Sequence, residues 1–183
     1  MKLLAICESP RKGNTHSVLA TIEENYTDID FKTLQLPDEH IGASLKMEDG
    51  KTFTVLRRLQ VEGRDETTDG YTVFKVRFKF KSLKLDTNKS LSMIPAPFLM
   101  GMKGFREKYW TFNEETDYFQ GIYQWESKES AEKYPDSFIY KLMTKRSAPG
   151  TLSYEISPNT DLSHYIKRIS SEQQLLARDR ILQ

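Results

Sequence analysis

The stretch that decides the fold is YTVFKVRFKF, residues 71–80, in which apolar and cationic side chains alternate. Successive side chains of a β-strand point to opposite faces of the sheet, so a period of two separates them. The apolar side chains are Phe74, Val76, Phe78 and Phe80. The cationic side chains are Lys75, Arg77, Lys79 and Lys81. The pattern predicts a strand with one face in the core and one cationic face.

Further strands are predicted on both sides of this stretch, from runs rich in β-branched and aromatic residues. They span residues 52–61, 105–112, 118–125 and 151–156. The polar segment 62–70 separates the first of these from residues 71–80, and we predict that the two pair as a hairpin. A second hairpin is predicted about the turn at 113–117.

Helices are predicted between the strands. Asp86 can cap a helix that runs through Ile94, and Ser127 can cap another, which Pro135 interrupts before it continues to Arg146. From Tyr71 onward the order is therefore strand, helix, strand, strand, helix, strand, which is the ferredoxin-like motif. The predicted fold class is α+β, a ferredoxin-like domain with an extra strand before it.

The same region resembles a known family through Gly104-Phe105-Arg106, the segment Phe119 to Ser127 with its G-x-Y-x-W pattern, and Ala131-Glu132. These residues are similar to the dimeric α+β barrel proteins, which include antibiotic-biosynthesis-monooxygenase-like chains. The resemblance implies a homodimer whose sheets face each other, with the helices outside. Phe74, Val76, Phe78 and Phe80 would then lie under the helices.

For a ligand site, the resemblance implies a pocket for an acidic aromatic or fatty molecule. Its cations would be Lys75, Arg77 and Lys79, and its aromatic walls would be Tyr109, Trp110, Tyr123 and Trp125. Cations buried in a barrel need partners or an anionic ligand. In the alternative interpretation, the cations meet Glu107, Glu155 or solvent, and the aromatic side chains only fill the core.

The chain begins with a different pattern. An apolar run, residues 2–7, enters the polar loop 8–15, and a helix-like stretch starts at His16. A strand, a glycine-containing turn and a helix N-terminus gather N–H groups, hydroxyls and cations at one point, which suits a phosphate. Residues 1–38 resemble the flavodoxin-like NADPH-dependent FMN reductases, including their second strand, here Phe31 to Leu36.

This second resemblance implies FMN, bound through its phosphate by Ser9, Arg11, Lys12, Asn14 and Thr15. Two features depart from the family: Glu8 stands where glycine is usual, and the later parallel strands that hold the flavin ring do not follow. A vestigial segment without cofactor is therefore the alternative. The predicted division is a flavodoxin-like segment at 1–38, a linker at 39–51, the barrel domain at 52–160 and a C-terminal helix at 161–183.

Composition narrows the function classes. The 183 residues carry 27 Lys and Arg against 26 Asp and Glu, so the overall charge indicates neither nucleic acid nor an anionic membrane as partner. The single cysteine, Cys7, excludes an internal disulfide, the three histidines have no ligand spacing, and no metal site is predicted. Without a signal peptide or a long apolar run, a cytoplasmic protein is expected.

No catalytic constellation is visible in the sequence, so the catalytic residues stay unknown. The predicted function is an oxidoreductase, a monooxygenase-like barrel that acts on a small hydrophobic or aromatic substrate, with FMN from the N-terminal loop. The alternative is a non-catalytic homodimer that binds a small ligand or has a structural role.

Overall fold

In the computed structural model, residues 34–35, 40–61, 70–81, 98–99 and 101–166 are described. The predictions outside these ranges include the strand at 2–7, the phosphate loop at 8–15, the helix from His16, the helix from Asp86 to Ile94, and the end of the C-terminal helix. The described part holds strands, two helices that pack on one side of them, and a short third helix.

The strands are β1 Leu34–Gln35, β2 Ser44–Lys46, β3 Thr52–Val61, β4 Thr72–Phe78, β5 Phe105–Asn113, β6 Tyr118–Trp125 and β7 Ser153–Pro158. Together they form one sheet in the order β1-β3-β5-β6-β4-β7, and β2 pairs with β3 beside this path. Every pairing is antiparallel. The four strands β7-β4-β6-β5 have the ferredoxin-like order, which confirms an α+β fold of this kind.

The two predicted hairpins have different outcomes. The pairing of β5 with β6 confirms the second. The first is wrong, because β3 pairs with β5, while β4 pairs with β6 and β7. Pairing partners are chosen by long-range packing, and the sequence pattern of a single strand only predicts which of its faces is apolar.

Residues 39–51, predicted as a linker, contain a strand. β2 pairs with β3, and Leu45 and Met47 are buried against Phe53. Gly42 and Gly50 take positive φ, +80° in both, which glycine adopts without steric cost. β1 pairs antiparallel with the far end of β3, Leu34 opposite Val61. Both segments therefore extend the same sheet.

The helices are α1 Lys128–Lys133, α2 Phe138–Arg146 and α3 Ser163–Ile166, with a 3-10 turn, Tyr134–Asp136, between the first two. The Ser127 side chain accepts a hydrogen bond from the Ser130 N–H and caps α1, as predicted. Ser137 caps α2 in the same way. Among the described residues, no helix combines the length and hydropathy needed to cross a membrane.

The sheet buries side chains on both faces. On the helix face, Phe74, Val76, Trp110 and Trp125 pack against Tyr134 and its neighbours in α1 and α2. This confirms the apolar face predicted for Phe74 and Val76. On the opposite face, Val73, Tyr109 and Ile122 pack under Met47 and Leu162 of the same chain.

Candidate functional site

The predicted cations of β4 point to the opposite face. Lys75 Nζ lies 2.7 Å from Glu155 Oε1. Arg77 forms an ion pair with Asp49, and its Nε donates to Gln120 Oε1 at 2.5 Å. The Arg77 hydrogen bond holds the pKa of Asp49 below its usual value. Lys79 Nζ lies 4.8 Å from the centre of the Tyr118 ring.

These ion pairs border a charged groove of about 260 Å³. Its lining residues are Glu48, Asp49, Lys75, Arg77, Ser153, Tyr154 and Glu155. Because each of the two strand cations in it has a carboxylate partner, the groove does not need an anionic ligand to neutralise them.

The predicted aromatic walls are divided between the two faces. Tyr109 lies on the opposite face, with its hydroxyl 3.2 Å from His40 Nδ1. Trp110, Tyr123 and Trp125 lie on the helix face. The sheet separates the two groups, because consecutive residues such as Tyr109 and Trp110 alternate between faces. The seven predicted pocket residues therefore do not line one pocket.

A cavity of about 70 Å³ lies on the helix face, between the sheet and α2. Two of the predicted residues, Trp110 and Tyr123, line it. The other lining residues are Phe78, Phe80, Lys108, Phe119, Gln120, Gly121, Tyr134, Ile139, Leu142, Met143 and Arg146. Aromatic and aliphatic side chains dominate, as in sites for small organic ligands.

The G-x-Y pattern of β6 shapes one wall of this cavity. A Cβ on Gly121 would lie 2.6 Å from Cε2 of the Tyr123 ring, so only glycine leaves the ring its place over the strand. The Tyr134 hydroxyl donates to the Tyr123 hydroxyl at 2.9 Å. Burial raises the pKa of both tyrosines, so both stay protonated at neutral pH.

Lys108 is a charged cavity residue that the sequence pattern did not predict as part of a site. Its side chain is 4% exposed, and Nζ lies 3.9 Å from the centre of the Trp110 ring and 4.3 Å from that of Tyr123. Within the described ranges, no hydrogen-bond acceptor or carboxylate contacts this nitrogen. Burial holds the pKa of Lys108 well below its usual 10.5. The sequence signal that could have placed it is its spacing: residues 108, 110 and 112 lie two apart, so Lys108 shares the face of Trp110 and Phe112.

Arg146 is a second cation at the cavity. Its guanidinium carbon lies 5.1 Å from the centre of the Phe80 ring, and burial lowers its pKa. The lining residues named above include no carboxylate. Lys108 and Arg146 are therefore the two cationic side chains among the lining residues.

The FMN residues predicted in the N-terminal loop, Ser9, Arg11, Lys12, Asn14 and Thr15, lie outside the described residues. In the ranges that the structure describes, no group of three or more His, Cys, Asp or Glu side chains is arranged to hold a metal ion.

Several solved structures are similar to this chain at low identity, and no curated protein matches it. A heme-degrading enzyme from Listeria monocytogenes is 12% identical, over 79% of this chain and 94% of that chain, with a TM-score of 0.47. A ferredoxin fold protein from the same organism, related to antibiotic biosynthesis monooxygenases, is 12% identical over 70% and 93%, with a TM-score of 0.46. A monooxygenase-like protein from Listeria innocua is 13% identical over 81% and 91%, with a TM-score of 0.45.

Residues 73–156 match the model of the family described as "Putative mono-oxygenase ydhR". The matched range runs from β4 into β7 and contains every residue that lines the helix-face cavity. The part of the chain that builds the cavity is therefore similar to a monooxygenase family, which supports a monooxygenase-like oxidoreductase.

Proposed function

We propose that this chain is a monooxygenase-like oxidoreductase that acts on a small hydrophobic or aromatic substrate in the helix-face cavity. The observation that carries the proposal is the lining itself, in which aromatic and aliphatic side chains surround the buried amine of Lys108. Apolar walls with one or two placed polar groups are typical of sites for small organic ligands.

Each part of the lining has a physical role in this proposal. Trp110 and Tyr123 offer ring surfaces against which an aromatic substrate can pack. The apolar walls exclude water and admit dioxygen, which is itself small and apolar. The space of about 70 Å³ is smaller than the roughly 150 Å³ of an apolar cavity that binds benzene, so side chains such as Met143 move when a ring enters.

Oxygen uptake tests this function. The purified protein is mixed with a panel of hydroxylated aromatic compounds, and dioxygen is followed with an electrode. The cavity is blocked by Leu142→Trp, and the matched control is Lys141→Trp, which alters the adjacent and exposed position of α2. We expect uptake with at least one compound, its loss in Leu142→Trp, and its persistence in Lys141→Trp.

Other outcomes contradict the proposal in distinct ways. If the compounds bind and raise the melting temperature but no oxygen is consumed, the chain is a non-catalytic ligand-binding protein. If nothing binds in the cavity and Leu142→Trp has no effect, a structural role is favoured.

We also propose that the N-terminal loop binds FMN through Ser9, Arg11, Lys12, Asn14 and Thr15, on the strength of the sequence resemblance alone. A bound cofactor stabilises the folded state in proportion to the logarithm of its concentration. FMN should therefore raise the melting temperature, and Arg11→Ala should reduce the shift. A protein that is colourless as purified and shows no shift with FMN would contradict this part.

A homodimer is proposed as well. β7 lies at the end of the strand order, and its Tyr154 is 50% exposed. An edge strand presents unpaired backbone groups that a second chain can cover. Light scattering should give twice the chain mass, and a single-chain mass at all concentrations would contradict the dimer.

A further inference from the structure

The buried position of Lys108 is unfavourable for a charged side chain, which points to a function for this residue. Transfer of a charged amine into an apolar environment without a partner is strongly unfavourable, and the group releases its proton instead. Lys108 is 4% exposed, and its described contacts at Nζ are the rings of Trp110 and Tyr123. A neutral amine in this position has a lone pair that is free to accept a proton.

The groups that line the cavity with Lys108 are neutral or cationic. β6 contributes Tyr123, the 3-10 turn contributes Tyr134, and α2 contributes Arg146. β4 contributes Phe78, and β3 places Leu59 opposite Lys108 in the sheet. The carboxylate next to it in the chain, Glu107, is held by Arg58. None of these residues supplies a negative charge to an ammonium at this position.

We propose that Lys108 accepts the proton of an acidic aromatic hydroxyl, such as a phenol or an enol, and holds the ligand in the cavity as its anion. This deepens the proposed function and rests on it, because the ligand is the substrate of the same cavity. The proton passes from the ligand oxygen to Nζ, and no electrons are transferred in this step. The products are an ammonium and an oxyanion in contact.

Several features of the site favour this ion pair. The new ammonium lies against the Trp110 and Tyr123 rings, which attract cations. The low dielectric of a water-poor cavity strengthens the attraction between amine and anion. An aromatic ring with an ionised oxygen is also richer in electrons, and is therefore more easily oxidised by dioxygen.

The test uses two probes of similar shape, 4-nitrophenol, which can ionise and absorbs visible light as the phenolate, and nitrobenzene, which cannot ionise. Binding is measured to the full-length protein and to Lys108→Met, Lys108→Arg and Lys141→Met, the last being an exposed control on α2. Absorbance is recorded at a pH where the free phenol is mostly neutral, and calorimetry in two buffers counts protons released.

We expect bound 4-nitrophenol to show the phenolate band, with no net proton released, because Lys108 takes up the proton. Lys108→Met should bind it at least about tenfold more weakly, the loss expected for a hydrogen bond to a charged group. Nitrobenzene binding should be unchanged in that variant. Lys108→Arg should still bind the phenolate but release one proton to the buffer, since arginine is already protonated. Lys141→Met should match the unaltered protein.

The outcomes separate the two proposals. If nitrobenzene and 4-nitrophenol bind equally well and the phenolate band is absent, the inference about Lys108 is overturned while the cavity remains a binding site. Proton release by the unaltered protein equal to that of Lys108→Arg would show that Lys108 binds as an ammonium and would overturn its role as proton acceptor. If neither probe binds, the proposed function fails first.

Discussion

Glu107 and Lys108 are neighbours in β5, yet they lie on opposite faces of the sheet in contrasting environments. On the opposite face, Glu107 forms an ion pair with Arg58, Lys75 pairs with Glu155, and Arg77 pairs with Asp49. On the helix face, Lys108 contacts two aromatic rings, and no described carboxylate contacts it. The comparison teaches that charge within a sheet does not by itself indicate a site. We propose that a buried lysine with no described partner does.

The largest expected effect is on the helix face, at Phe74. Its ring contacts the rings of Tyr134 and Tyr154, with centroids 5.0 Å apart in both cases, and it is fully buried. Phe74→Ala leaves a cavity in this cluster and should lower the free energy of unfolding by about 3–5 kcal/mol. Urea unfolding measures the change. Tyr154→Ala, at the exposed side of the cluster, is the control, and equal losses in both variants would contradict a helix-face core centred on Phe74.

The next effect is on the opposite face. Glu107→Met removes one partner of Arg58, and both side chains of this pair are largely buried, with 12% of Glu107 and 13% of Arg58 exposed. We expect a loss of roughly 2–3 kcal/mol in unfolding free energy, less than for a fully buried pair because some exposure remains. The double variant Arg58→Leu with Glu107→Met should recover part of the loss. If the double variant is no more stable than the single one, the charge left on Arg58 is not the cause of the loss.

A smaller effect is expected at the wall of the cavity. Gly121→Ala forces the Tyr123 ring away from the strand and should cost about 1–3 kcal/mol, the range for overpacked cores. The near-ultraviolet circular dichroism should change with it, because the hydrogen bond from Tyr134 is strained. In a Tyr123→Leu background, the same substitution should cost clearly less. An equal cost in both backgrounds would show that the ring is not the obstacle.

The smallest effect on stability at neutral pH is expected at Lys108. Lys108→Met replaces an amine that lacks a described acceptor with an apolar side chain of similar length, so stability should be unchanged or higher by about 1 kcal/mol. The difference in stability between Lys108→Met and Glu107→Met, one residue away, is the most direct test of the contrast between the two faces. Thermal unfolding measures both. Strong destabilisation by Lys108→Met would mean that Lys108 has a structural partner.

Lys108→Met also tests how the unfolding free energy depends on pH. The folded state lowers the pKa of Lys108 from 10.5, so between the folded value and 10.5 the unfolded chain binds more protons. The unfolding free energy of the unaltered protein, relative to Lys108→Met, should therefore rise with pH through that window and be constant below it. A difference that does not depend on pH would contradict a lowered pKa.

Tyrosines do not disturb this comparison. Burial raises the pKa of Tyr140 to about 12 and also raises those of Tyr123 and Tyr134, so their stabilising contribution is complete below 10.0 and is lost as pH rises above it. Tyr140 is present in both proteins, so its effect cancels in the difference. Tyr123 contacts Lys108 and is bonded to Tyr134, so the comparison is read well below pH 10.0, where these tyrosines are protonated in both states.

The local elements could be predicted from the sequence. The alternation at 71–80 predicts β4 and its apolar face, and the turn at 113–117 predicts the hairpin of β5 and β6. Ser127 and Pro135 predict where α1 begins and where the helical stretch is interrupted. Each of these depends on residues that are close together in the chain.

The site could be predicted only in part, and β5 shows why. Its register shifts between Phe105 and Glu107, so that Phe105 shares the helix face with Lys108 and Trp110. A strict two-residue alternation from Phe105 would assign Lys108 to the other face. The bulge cannot be read from the sequence. The placing of Tyr109 and Trp110 on opposite faces needs no bulge, because consecutive strand residues alternate, and the single predicted pocket overlooked this.

The sequence by itself determined the strands β3 to β7 and the cap of α1, because period, turn and capping residues act within a few positions of the chain. Tertiary structure decided which strands pair, since β3 joins β5 rather than β4. It also decided which cations receive partners. Carboxylates as distant as Asp49 and Glu155 reach Arg77 and Lys75, whereas Lys108 faces a cavity bounded by Trp110 and Tyr123. Whether a charged side chain forms an ion pair depends on residues that are distant in the chain, and only folding brings these together.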